Sequence, residues 1–244
     1  MRNVRLDLCY EGTRYRGWQR LANTDNTIQT KLETALSRIL NEPIEVSASG
    51  RTDAGTHAKL QVVNFHCGSD MPCEEILSQL RCYLPEDIGI YSCKNVSPRF
   101  HARLNAKTKT YVYRVWNSGR PCVFERRFVH VDPRLLSVEK MQQASACFLG
   151  EHDFSAFCAN KNMKKSTVRY IEAFDVRACG DEVIFTVTGN GFLHHMVRIM
   201  VGTLLEVGRG ERKADSIATL FGGNRAEAGE LIPACGLCLM EVTY

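Results

Sequence analysis

The first hundred residues alternate between two hydrophobic periods. Val4, Leu6 and Leu8 face one way and Arg5, Asp7 and Cys9 the other, which predicts a half-buried strand over residues 3–10. The period then lengthens. Ile28, Leu32, Ala35, Leu36, Ile39 and Leu40 fall on one stripe, so residues 27–40 read as a helix, with Asn26 or Thr27 as its cap and Pro43 beyond its end. Two β-forming runs follow at 44–49 and 60–66. A second helix spans 72–84, with Ile76, Leu77 and Leu80 inward, and a strand returns at 87–96. Strand, helix, strand, strand, helix, strand is the order of the ferredoxin-like βαββαβ unit, an antiparallel sheet with two helices on one face.

The second half repeats the series loosely. A long strand over 106–117 places Lys107, Lys109, Tyr111, Tyr113 and Val115 on one face. Residues 121–133 read as irregular. A helix over 138–149 turns Met141, Ala144, Cys147 and Phe148 inward. Strands at 167–177 and 182–188 are joined by a turn at Cys179-Gly180-Asp181. A strongly apolar helix covers 192–207, a shorter one 214–221, and a strand closes the chain at 237–242. The class is therefore α+β, with two related antiparallel sheets.

Composition narrows this picture little. At 44% hydrophobic and 24% charged, the 244 residues suit a folded chain rather than a disordered one. No apolar run approaches the roughly 18 residues of a membrane span. Residues 1–7 lack the apolar core of a secretory signal, which suggests a cytoplasmic protein. Eleven cysteines are scattered through strand and helix patterns, and only Cys235 and Cys238 have C-x-x-C spacing. With no second pair and no helix opening at the motif, buried reduced thiols are expected, not zinc or redox chemistry.

Charge says more by its distribution than by its net value of +4. Arg14, Arg16 and Arg20 cluster early, Lys107 and Lys109 precede an aromatic strand, and Lys161, Lys164, Lys165 and Arg169 crowd one loop. Such clusters either neutralise phosphates or form solvated surface. The loop Glu11-Gly12-Thr13-Arg14-Tyr15-Arg16-Gly17-Trp18-Gln19-Arg20 is similarly two-sided: it can cradle phosphates, or simply pack Trp18 on the core.

The candidate chemistry centres on Gly50-Arg51-Thr52-Asp53-Ala54-Gly55-Thr56-His57-Ala58, a glycine-flanked loop between two β-forming runs. Read locally, Asp53 is either a held reactive carboxylate or half of a weak surface ion pair with Arg51. Arg198 on an apolar helix calls for an anionic partner. Tyr111 would by default be an ordinary sheet aromatic. His194 and His195 are adjacent rather than four apart and do not form a helical metal pair.

The nine residues 50–58 resemble the signature of the TruA family of tRNA pseudouridine synthases. Tyr10-Glu11-Gly12-Thr13 with Gly17-Trp18-Gln19 resembles that family's first loop. Phe100-His101-Ala102-Arg103 and Tyr111-Val112-Tyr113 resemble its middle. Glu151-His152-Asp153-Phe154-Ser155-Ala156-Phe157 and Gly191-Phe192-Leu193-His194-His195-Met196-Val197-Arg198 resemble its second half, and Pro233-Ala234-Cys235-Gly236-Leu237 its end. The matches run in order along nearly the whole chain.

The resemblance implies the pseudouridine synthase fold: two ferredoxin-like halves, residues 1–104 and 105–244, joined around a central RNA-binding cleft. It implies isomerisation of uridine to pseudouridine at positions 38, 39 and 40 of the tRNA anticodon arm, without metal or organic cofactor, by a homodimer. By the same likeness Asp53 matches the essential aspartate, Arg198 is its ion-pair partner, Tyr111 stacks on the target base, and Arg51 assists base flipping. His194 and His195 touch RNA or cap packing, and Leu237 lines the uracil pocket or the core. One departure is Thr56, where the family often has valine.

Overall fold

The computed structural model describes residues 1–160 and 165–244. Lys161 and Lys164, two members of the expected basic loop, lie outside the described residues. The chain divides into two compact units. One comprises Met1–Lys107 with Leu239–Tyr244, the other Thr108–Cys238.

In the first unit, β1 (Arg2–Tyr10) buries Val4, Leu6, Leu8 and Tyr10 along one face, as its alternation requires. Helix α1 (Ile28–Leu40) starts where the Thr27 hydroxyl accepts the Thr30 N–H at 3.2 Å and ends at Asn41 in the left-handed region. Then come β2 (Ser47–Ala48), β3 (His57–Cys67), α2 (Cys73–Tyr83) and β4 (Ile88–Val96). β4, β1, β3 and β2 pair in that order, all antiparallel, which is the ferredoxin-like arrangement.

The run at 44–49 forms much less strand than its residues suggest. Ile44 and Val46 are buried, but side chains satisfy their amides: Ile44 N–H donates to Ser37 Oγ at 2.9 Å and Val46 N–H to Glu33 Oε1 at 3.1 Å. With those donors occupied, only Ser47 and Ala48 enter the ladder.

The second unit holds β5 (Lys109–Trp116), β6 (His130–Val131), α3 (Val138–Ser145), β7 (Gly150–Asp153), β8 (Val168–Cys179), β9 (Glu182–Gly189) and α4 (Met196–Gly208). Its sheet runs β5, β9, β8, β7, antiparallel throughout, with β6 parallel to β5. The segment Glu151-His152-Asp153-Phe154-Ser155-Ala156-Phe157 sends Phe154, Ala156 and Phe157 into the core. Phe154 and Phe157 are fully buried against Phe148, and the His152 ring stacks on Phe221 at 4.1 Å. The expected helix over 138–149 passes into a 3-10 turn at Ala146–Phe148, and the expected helix over 214–221 is 3-10 throughout.

The last strand, β10 (Leu237–Val242), begins in the second unit, and from Leu239 the chain belongs to the first. There Lys107 N–H donates to Thr243 O at 2.9 Å, Tyr244 Oη donates to Ala102 O at 2.8 Å, and the Arg5 guanidinium lies 4.8 Å from the Tyr244 ring centre. No helix among the described residues is long and apolar enough to cross a membrane.

Candidate active site

Asp53 sits in a turn closed by Thr56 N–H donating to Asp53 O at 3.1 Å, with Gly55 at φ 79°. The first loop packs directly on the backbone of this turn. Trp18 is buried, and its N–H donates to Thr52 O at 3.0 Å. Gly17 has φ 92°, and a Cβ there would lie 2.9 Å from Thr52 O and 3.1 Å from Ala54 N. At Gly12 a Cβ would fall 2.0 Å from Thr56 O. Gly12 N–H also donates to His57 Nδ1 at 3.0 Å, which makes that nitrogen an acceptor and puts the imidazole proton on Nε2. Two backbones thus lie in van der Waals contact, and only glycine permits it.

This geometry decides between the two readings of residues 11–20. Two of the three arginines are answered internally. Arg14 donates to Asp87 at 2.6 and 3.0 Å, Tyr15 Oη donates to the other oxygen of the same carboxylate, and Arg20 pairs with Glu33 at 2.9 Å. Arg16 is exposed and has no acidic partner among the described residues. The loop is first a brace for the Asp53 turn.

Asp53 itself is half-buried and Arg51 exposed. Arg51 makes no ion pair among the described residues, so the weak Arg51–Asp53 surface pair considered from sequence is absent.

In the second unit, Tyr111 lies on β5 opposite Val187 and is 7% exposed. Its ring meets Phe192 edge-on at 5.1 Å. Phe192 is not helical: α4 starts only at Met196, after His195 adopts φ 64°, a conformation an α-helix cannot contain. The apolar residues at 192–193 therefore belong to a turn packed on β5 rather than to a helix face. His194 is exposed and its ring lies 3.7 Å from that of His195.

Arg198 occupies the first turn of α4, half-buried, with Nε donating to Ile232 O at 2.8 Å. Helix α4 holds that acceptor closely. A Cβ on Gly202 would lie 2.1 Å from Glu230 O, and Gly229 N–H donates to Thr203 Oγ1 at 2.9 Å. Leu237 is buried at the start of β10, just after a turn whose Gly236 would put a Cβ 2.8 Å from the Tyr113 ring.

Within the first unit the fold thus brings Arg51 and Asp53 onto one braced turn. Within the second it ties Tyr111 through Phe192 to the segment carrying His194, His195 and Arg198. Sequence reasoning did not single out Gly12 and Gly17 as braces, or Phe192 as the contact of Tyr111. The glycines of the first loop were the available signal for the former.

A family model described as tRNA pseudouridine synthase matches residues 9–105 and 144–244. The chain is 42% identical over 246 aligned positions to a tRNA pseudouridine synthase A of Bacillus sp. (strain KSM-64), covering all of both chains. It is 41% identical, again end to end, to a tRNA pseudouridine synthase A 2 of Clostridium perfringens (strain 13 / Type A). The family model, matched over most of the chain, and these full-length relatives show that the chain belongs to the tRNA pseudouridine synthase family.

Proposed function

We propose that this protein converts uridine to pseudouridine at positions 38, 39 and 40 in the anticodon stem-loop of tRNA, with Asp53 as the catalytic carboxylate. The observation that carries the reading is the end-to-end similarity to tRNA pseudouridine synthase A proteins. The glycine-braced turn at Asp53 supports its assignment.

The chemistry is a redox-neutral rearrangement. The C1′–N1 bond breaks, the uracil turns, C5 bonds to C1′, and the C5 proton leaves to solvent while N1 gains one. Nothing in that balance calls for a metal or an organic cofactor. The stacked base must first leave the helix at a cost of a few kcal/mol. Exposed Arg51 assists the flip and fills the vacated place. Tyr111, held edge-on by Phe192, offers a face for the flipped base and a hydroxyl for proton transfer. Leu237 adds an apolar wall, and His194 and His195 contact the RNA.

Asp53 acts ionised, whether it attacks C1′, attacks C6 or takes a sugar proton. Excluding water disfavours the charge unless a cation stands near. Arg198 is assigned as that cation by the family resemblance; within its own unit its Nε donates to Ile232 O at 2.8 Å.

The active species is a cytoplasmic homodimer, and light scattering that returns a monomer at working concentration contradicts this. The decisive assay uses tRNA carrying tritium at uracil C5. Wild-type protein releases the label as water and Asp53→Ala does not. Full release by Asp53→Ala overturns the assignment.

A further inference from the structure

Beneath the Asp53 turn lies a chain of polar groups that the reaction does not itself use. Gln61, on β3, is fully buried. Its Oε1 accepts from Ser49 Oγ at 2.5 Å and from Val62 N–H at 3.2 Å. Its Nε2 donates to Gly50 O at 2.9 Å and reaches Tyr10 Oη at 3.5 Å. Tyr10, 4% exposed at the end of β1, lies 2.8 Å through its hydroxyl from Thr52 Oγ1, and Thr52 is 8% exposed. Gln61 Nε2 donates to Tyr10 Oη, and between Tyr10 Oη and Thr52 Oγ1 either hydroxyl can donate. Ser49, Gly50 and Thr52, three of the four residues leading to Asp53, are thereby tied to two neighbouring strands.

We propose that Tyr10, Gln61 and Thr52 form a buried frame that fixes the height and direction of Asp53, making Tyr10 and Gln61 positioning residues for the reaction. The proposal rests on Asp53 being the catalytic carboxylate. Burying this many polar groups is costly unless all are satisfied, and a satisfied network is rigid. An apolar filling would seal the same space but leave Gly50 and Thr52 without directional anchors. The glycine contacts of the first loop press on the turn from one side. The frame adds anchors from β1 and β3 to the residues that lead into it.

The cost of losing the frame is geometric: displacement of a reacting group by about 1 Å is worth about 100-fold in rate. Tyr10→Phe deletes one oxygen and leaves the packing in place. The test is single-turnover tritium release at saturating tRNA, with tRNA affinity and thermal melting measured on the same preparations. Tyr10→Phe and Thr52→Val each lower the chemical rate about 10-fold or more, with tRNA affinity within about twofold of wild type. The double variant is no slower than the worse single one, because both remove the same link. Thr52→Ser, which keeps the hydroxyl, restores the rate.

A frame serving stability alone would move the melting temperature and not the saturated rate. Wild-type rates in Tyr10→Phe, losses that multiply in the double variant, or a loss confined to tRNA affinity each overturn the proposal. Asp53→Ala, run alongside, separates the two claims. If it is inactive while Tyr10→Phe is fully active, the frame fails and the catalytic assignment stands. If Asp53→Ala is active, the assignment itself fails.

Discussion

A single residue of the Asp53 turn carries an uncompensated cost. Thr56 is 1% exposed, and its hydroxyl has no hydrogen-bond partner among the described residues. Its side chain has valine's shape, with the hydroxyl where valine has its second methyl, so the oxygen adds polarity to a site that offers nothing in return. A buried hydroxyl without a partner costs about 1–3 kcal/mol. Thr56→Val is therefore expected to stabilise the protein by about 1 kcal/mol, raising the melting temperature by about 2–4 °C. Calorimetry of the two proteins checks this, and an unchanged or lower melting temperature contradicts it. The opposite case is Gly17. Alanine there must hold φ 92° and place its Cβ 2.9 Å from Thr52 O. Strain of this kind costs about 1–3 kcal/mol and is relieved by pushing the Asp53 turn away. Gly17→Ala is expected to lose both melting temperature and tritium release, whereas Gly119→Ala, with no atom within 4 Å of its Cβ, keeps both.

At the scale of elements, α4 holds Arg198 through the segment that packs on it. The close approach of Gly202 to Glu230 lets the segment after residue 228 lie flat on the helix, and Ile232 O then receives Arg198. Gly202→Ala pushes that segment off and removes the acceptor's support. Overpacking typically costs about 1–3 kcal/mol, so a melting loss accompanied by slower tritium release is expected. Release at the wild-type rate would separate the segment from Arg198. The end of α4 has its own anchor. Burial works to raise the Asp132 carboxyl, but hydrogen bonds from Arg134 and the nearby charge of Arg209 outweigh it and hold the group below its ordinary 3.8. A depressed folded value contributes stability above the unfolded value, and that contribution fades as pH falls through the folded one. Asp132→Asn should thus flatten the loss of stability below about pH 4, as read by denaturant melts across that range. Most of these elements were legible in the sequence, because alternation and helical stripes report burial directly: β1, α1, α2 and β8 lie within a few residues of expectation. Failures came where something other than period decided. Glu33 and Ser37 took the amides of the run at 44–49, and the left-handed His195 delayed α4 by a turn although Phe192 and Leu193 continued its apolar pattern.

For the whole molecule the open quantity is how the chain grips a polyanion, and here composition was the poorest guide. A net charge of +4 and three basic clusters made phosphate binding plausible without saying which cations are available. That needs the ion-pair pattern, which depends on residues far apart in sequence: Arg14 is answered by Asp87 and Arg20 by Glu33. Arg16, Lys107 and Lys165 remain exposed. If phosphates are clamped by exposed cations, tRNA affinity falls linearly on a log–log plot against salt, with a slope of about 0.7–0.9 per phosphate contact. About five contacts then give a loss of roughly 100-fold or more between about 50 and 200 mM salt. The structure sharpens this into a comparison. Arg16→Gln removes a cation with no acidic partner among the described residues and should reduce the slope by about 0.7–0.9. Arg20→Gln removes one already committed to Glu33 and should leave the slope unchanged, whatever it does to stability. Fluorescence titration of labelled tRNA against both variants across that salt range measures the slopes. Equal reductions in the two would mean that Arg20 leaves Glu33 for RNA on binding, and would contradict the division between bracing and binding cations drawn from the first loop.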